Sequence, residues 1–141
     1  SIKKIVRKAK RMGLIPAIRL NGTSDFPFHK TGIMEEFSDV QFYDYTKVVN
    51  RLFEKLPSNY HLTFSRSESN QHHVQKVLNE TLVNIAMVFN CEDFPGELFG
   101  RKIISGDDHD LRFLDEKNVI IGLKAKGKAK KDTSGFVVHV Q

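Results

Sequence analysis

The chain has 141 residues, 40% hydrophobic and 28% charged, with a formal net charge of +5, which sets a single soluble-type α/β domain over 1–141 as the expectation. No apolar run approaches the roughly 18–20 residues of a bilayer span, and no apolar leader opens the sequence, so no membrane partner is expected. The lone Cys91 can form neither an internal disulfide nor a multi-cysteine metal cluster, which points to a reducing, cytoplasmic location.

Ile2, Ile5, Val6, Ala9 and Met12 recur at helical spacing, with Gly13 and Pro16 as stop signals. A strand, 16-PAIRL-20, follows and runs into the turn-rich 21-NGTSD-25. A short helix around 33-IMEEF-37 precedes a second strand, 40-VQFYDY-45, and the spacing predicts a helix over about 46–56, before Pro57. The third strand lies in 60-YHLTFSRSE-68, then a helix over about 70–82, then a fourth strand at 84-NIAMVFN-90. Residues 91–100 read as loop or a degenerate short helix, and 111-LRFLDEK-117 as a turn or stub helix between strands at 102-KIIS-105 and 119-VIIGLK-124. The end, 135-GFVVHV-140, reads as an edge strand.

Strands alternating with helices give a mostly parallel sheet of about six strands with right-handed crossovers. Three of those strands alternate in polarity, although strands covered on both sides usually read as apolar runs. Arg19, Gln41, Tyr43, His61, Thr63 and Ser65 share the polar side. Buried beneath a second layer, each unpaired group would cost about 1–3 kcal/mol. A curved sheet, a partial (β/α) barrel with a wetted hollow, removes that cost, and this is the expected architecture.

Two segments hold most of the positive charge. Six basic residues and no acid occupy 1–12, six more and no acid lie in 117–131, and the remainder carries −7. An anionic partner is expected, nucleic acid or a nucleotide first, with Arg19, Asn21, Arg66, Lys124, Lys126, Lys128, Lys130 and Lys131 as phosphate-binding candidates. If extended, 124–130 would project its lysines on one side. The segment 122-GLKAKGKA-129 falls short of a phosphate loop, because Ala129 replaces the hydroxyl that binds magnesium and Gly122 sits inside a strand.

The alternative is an enzyme whose rim carries Asp44, His61, Glu68 and His109 as catalytic candidates, with Asp107, Asp108 and Asp110 as ligands of a divalent metal. That reading needs at least three such groups to converge, whereas 107-DDHD-110 by itself is an ordinary solvated turn. A third reading is a non-catalytic interaction protein, marked by an exposed apolar patch.

The segments 19-RLNGTSD-25, 40-VQFYDYTK-47, 59-NYHLTFSRSE-68, 106-GDDHDLRFLD-115 and 121-IGLKAKGKAKKDTSGFVV-138 together resemble the phage- and plasmid-borne gene product 88 family. The resemblance implies a mobile-element protein with a β/α barrel-type fold like that of radical S-adenosylmethionine enzymes, and no particular reaction. Relatives of that kind carry a further N-terminal region with cysteines, so the chain is expected to match their C-terminal part, as a fragment or a short form. It has no C-x-x-x-C-x-x-C, so no iron–sulfur cluster is expected in it. A truncated barrel would leave the first strand's edge free, a place for self-association.

Overall fold

In the computed structural model, which describes residues 1–140, Ser1 Oγ accepts the Lys4 N–H and starts helix α1, Ile2–Arg11. Ile2 and Val6 on one side of α1 pack on Met34, Phe42 and Leu62, which leaves its basic side in solvent. Two further helices, α2 (Ile33–Glu36) and α3 (Gln71–Glu80), are seated on the same side of the sheet by Met34 and by Val74 and Val77. The carbonyl end of α3 is closed by Arg101, whose guanidinium donates to Leu78 O (3.2 Å), Thr81 O (2.7 Å) and Val83 O (2.6 Å).

The strands are β1 (Ala17–Ile18), β2 (Gln41–Thr46), β3 (Tyr60–Ser65), β4 (Ile85–Phe89), β5 (Glu97–Leu98), β6 (Arg101–Ser105), β7 (Ile120–Lys124) and β8 (Val137–Val138). They form one sheet in the order β1-β2-β3-β4-β7-β6-β5, parallel except for the β5–β6 hairpin, with β8 parallel to the end of β4. Among the described residues the sheet has eight strands rather than about six and is not closed, and no barrel is shown. Closure would require its two edges, β1 and β5, to meet. The β1 edge on which self-association was expected is two residues long.

Chain direction explains the departure. From β1 to β4, and from β4 to β6, the crossovers between parallel strands move the same way across the sheet, the β5–β6 hairpin being a local antiparallel step; from β6 to β7 and β7 to β8 they move back. Right-handed crossovers then place the outward connections on one face and the returning ones on the other. The contacts agree. The back face (Phe42, Leu62, Phe64, Met87, Phe89) carries α2, α3 and Phe94, while the front face receives the β6–β7 connection, with Phe113 against Tyr43 at 5.2 Å. The polar wall therefore does have a second layer over part of its length, a short 3-10 turn at Arg112–Leu114.

Arg112 anchors that layer. It is 2% exposed, donates from Nη2 to His109 O (2.6 Å) and pairs through Nε with Asp115 at 3.2 Å. Burial raises the Asp115 pKa, partly offset by Arg112. The guanidinium fits against the sheet because Gly106 has no side chain; a Cβ there would run into Arg112 Nη1 and Ile121. Gly122 serves packing as well, since a Cβ would lie 2.8 Å from the Phe94 ring.

Three expected elements change. The 46–56 helix is a 3-10 turn over Val49–Phe53, since Val48 remains extended and Pro57 forbids continuation. Residues 91–100 supply β5, and residues 127–131 form a 3-10 turn, so their lysines do not share one side of an extended strand. The C-terminal strand pairs with β4 alone, so its other side has no strand partner, as expected of an edge. Because β7 occupies one side of Ile85–Phe89 and β3 pairs only at Ile85 and Ala86, β8 takes the side that β3 vacates.

Replacing Gly106 with alanine should destabilise the chain by about 1–3 kcal/mol through overpacking against Arg112. A urea midpoint equal to that of the parent would rule out the close approach described.

Candidate functional site

The front face is not covered at the carboxyl ends of the strands. There a cavity of about 730 Å³ opens, floored by Ala86, Val88 and Leu123 with Tyr45 and Ser65 beside them. This is the usual ligand position in open parallel sheets. Arg19 stands after β1, Lys47 after β2, Arg66 after β3 and Lys126 after β7, while Asp107, His109 and Asp110 come from the β6–β7 connection and Phe136 from the segment before β8.

The rim is closed by side chains rather than by strands. Asp110, on a loop that leaves β6, reaches Arg19 next to β1 at 3.1 Å and accepts the Tyr45 hydroxyl at 3.3 Å. Arg19 is held flat by its own surroundings, donating to Asn21 O (3.1 Å) and Gly22 O (3.3 Å) with its guanidinium 4.9 Å from the Tyr45 ring centroid. Burial first, then Asp110, pushes the Tyr45 phenol up to about 12, so it stays protonated and donates. His109 Nδ1 accepts the Leu111 N–H at 3.1 Å, which leaves Nε2 carrying the proton of the neutral ring.

The opposite wall has unpaired cations. Arg66 donates to Gln71 Oε1 (2.5 Å) and Phe136 O (2.7 Å) and forms no salt bridge among the described residues. Burial depresses its pKa, Glu68 opposing. Lys47 Nζ lies 5.6 Å from the Phe136 ring centroid. Among the described residues, Lys47, Arg66 and Lys126 have no salt-bridge partner.

Behind the cavity a chain of polar contacts holds its first loop. Asp44 shares the back face with Phe42 and accepts the Asn21 backbone N–H (3.0 Å), Asn21 Nδ2 (3.1 Å) and the Tyr60 hydroxyl (2.7 Å). Arg51 donates to Tyr60 (2.5 Å) and pairs with Asp25, which also accepts Thr46 Oγ1 (2.9 Å) and the Lys47 N–H (2.8 Å). Asn21 Oδ1 in turn accepts Ser24 Oγ (2.8 Å) and the Phe26 N–H (3.1 Å). Gly22, Thr23 and Ser24 are thereby pinned at the cavity. Burial raises the Asp44 pKa, with the Tyr60 and Asn21 hydrogen bonds opposing it, and Tyr60 is raised by burial and by Asp44.

Of the residues singled out in the sequence, the cavity gathers Arg19, Arg66, Asp107, His109, Asp110 and Lys126. Asn21 and Asp44 lie behind it, and Glu68 is exposed beside Gly135. Asp108 and Lys124 line an adjoining groove, and Lys128, Lys130 and Lys131 are exposed on the 3-10 turn. His61 faces front but lies outside the lining, and its Nδ1 is buried without a partner. Lys47 and Phe136 were not among the candidates. Lys47 follows directly on a strand, which was a usable signal; nothing in 135-GFVVHV-140 marked Phe136. Among the described residues no three His, Cys, Asp or Glu side chains are grouped as a metal ion would need.

Fold and site define an α/β protein with an open, mostly parallel sheet and a ligand-sized cavity at its carboxyl rim. The family model for gene product 88 matches residues 1–140, and the chain belongs to that family. No curated protein and no solved structure matches it. The match carries the family and leaves the expected likeness to radical S-adenosylmethionine enzymes without support. No helix among the described residues is long and apolar enough to cross a membrane.

Two outcomes check this geometry. Asp44→Ala strands the Tyr60 hydroxyl and the Asn21 N–H, and should cost about 2–4 kcal/mol in thermal or urea unfolding; a loss within experimental error would mean the network does not hold the loop. Burial, then Arg112 and Lys117, lowers the His61 pKa from 6.5, so the folded state favours the neutral ring. Its contribution is complete above about 6.5 and is lost as pH falls from there through the lowered folded value. His61→Gln should flatten the stability–pH curve in that window, and an unchanged slope would count against a buried neutral imidazole.

Proposed function

We propose that this phage-type gene product binds a nucleotide-like anion, an organic body bearing phosphate, at the carboxyl rim of its sheet. One observation carries the reading: Lys47, Arg66 and Lys126 border an apolar floor inside a cavity of about 730 Å³ and have no carboxylate partner among the described residues. Small-molecule sites of roughly 300–1,000 Å³ with apolar floors and a few convergent polar groups are the ordinary pattern. Unneutralised cations at such a place favour an anion. Phosphate goes to Lys47 and Arg66, the planar or apolar body to Ala86, Val88 and Leu123, and Phe136 and Tyr45 offer aromatic edges. The dimensions suit a single nucleotide or a strand end better than a duplex.

A second reading, an interaction module, draws on a different place. Met12, Leu14 and Ile15 are 60%, 58% and 82% exposed just after α1, an apolar patch away from the cavity.

The first reading is tested by titrating a fluorescent adenine nucleotide at low and at physiological salt. Affinity should fall with salt, and Lys47→Ala should weaken binding about tenfold without shifting the melting temperature, since Lys47 is exposed and outside every ion pair described. Binding indifferent to both salt and Lys47 would sink it.

A further inference from the structure

Resting on that reading, we infer that the cavity is built for a ligand with one phosphate rather than a polyphosphate, and that Asp110 is the residue that sets this preference. The inference comes from the local charge. Four cations line the cavity: Arg19, Lys47, Arg66 and Lys126. Three carboxylates line it as well: Asp25, Asp107 and Asp110. Asp25 is already paired with Arg51, which lies outside the lining, so with His109 neutral the four cations face two carboxylates and leave a net charge of +2, which matches one phosphate monoester and falls short of a triphosphate. The cations are also distributed unevenly. Arg19 is already neutralised by Asp110 at 3.1 Å, and its Nε and Nη2 are taken by Asn21 O and Gly22 O. The groups left to meet a ligand's charge are Lys47 and Arg66, beside Phe136, and Lys126, which shares its side of the cavity with Asp107.

A chain of phosphates extending from Lys47 and Arg66 along the rim would run toward carboxylates. Asp107 accepts only the Lys124 backbone N–H, at 3.2 Å, a contact that leaves its full charge in place. Asp110 is half exposed at the lip, 51% by side chain, and its two oxygens are used by Arg19 and Tyr45. Each added phosphate therefore meets Asp107 and Asp110, with Lys126 as the one further unpaired cation of the lining to offset them. The hydrogen bonds that fix Arg19 make rearrangement to a second phosphate site costly, because Asn21, one of its acceptors, is itself locked to Asp44. Asp110 is thus a specificity-determining residue that acts by charge and by holding Arg19.

The experiment compares adenosine monophosphate with adenosine triphosphate, both in EDTA, by calorimetric titration of the whole chain, and repeats the comparison with inorganic phosphate against tripolyphosphate to separate charge from the base. The parent should bind the monophosphate several-fold more tightly than the triphosphate. Asp110→Asn keeps an acceptor for the Tyr45 hydroxyl and removes one negative charge, and should shift the ratio toward the triphosphate by about fivefold. Lys47→Ala, as a control on the shared phosphate contact, should weaken both ligands and leave the ratio nearly unchanged. Equal or tighter triphosphate binding by the parent overturns the inference while leaving nucleotide binding intact, as does an unchanged ratio in Asp110→Asn with its melting temperature preserved. Failure of every probe to bind either protein overturns the nucleotide reading, and this inference with it.

Discussion

The handedness of the crossovers decides where chemistry can occur in this molecule. While the chain moves outward from β1 to β6, right-handed connections must lie behind the sheet, and there α2, α3 and Phe94 bury Phe42, Phe64, Met87 and Phe89. Once it turns back toward β7 and β8, the same rule sends it in front. The returning connections are short and polar, 106-GDDHD-110 and 124-KAKGKAKKDTSG-135, with no helix long enough to cover a sheet. A front face half covered, with a cavity at its open end, follows from that shortage.

Polar side chains on the strands are then satisfied in two contrasting ways. On the back, Asp44 sits among apolar residues and is stabilised by a sequence of donors running from Asn21 through Tyr60 and Arg51 to Asp25. These charges are buried for a structural end: they fix the loop that presents Gly22, Thr23 and Ser24 to the cavity. On the front, satisfaction is incomplete. Thr63 Oγ1, His61 Nδ1 and Arg112 Nη1 are buried without partners among the described residues. Unpaired groups of that kind cost about 1–3 kcal/mol each, so the Arg112 layer is held in place against an opposing term, by the Asp115 pair and by the fit to Gly106.

Much of this was legible in the sequence, and the parts that were not have identifiable causes. Strict alternation in 40-VQFYDY-45 and 60-YHLTFS-65 located β2 and β3, and the turn-rich segments after the strands located the rim. The same alternation held the correct side for Asp44, since it shares a parity with Phe42 and not with Tyr43 or Tyr45; chemistry was read where parity said core. The order of strands was not legible, because hydrophobic pattern reports faces and not neighbours, and the barrel expectation rested on the cost of burying the polar side, a cost that an open sheet with a half-covered front face also reduces. β5 was invisible at two residues, and so was the lysine turn, since alternating lysines on an exposed segment obey no burial that would fix their conformation.

The separation of the two basic segments bears on how net charge should be used as an argument. The formal +5 suggests one large positive surface, yet α1 packs through Ile2 and Val6 on the back-face cluster, while of the lysine-rich segment only Lys126 reaches the cavity. The six cations of residues 1–12 therefore contribute at most a long-range field to the site, and at physiological ionic strength that field is screened over about 8 Å. What a ligand meets is set locally, by which guanidinium and ammonium groups have been claimed by carboxylates of the same rim. Arg19 has been claimed by Asp110, and Arg66 has been turned toward Phe136 O without losing its charge. The charge presented at this place is consequently decided by the pairing pattern of a few side chains and not by the net charge of the chain.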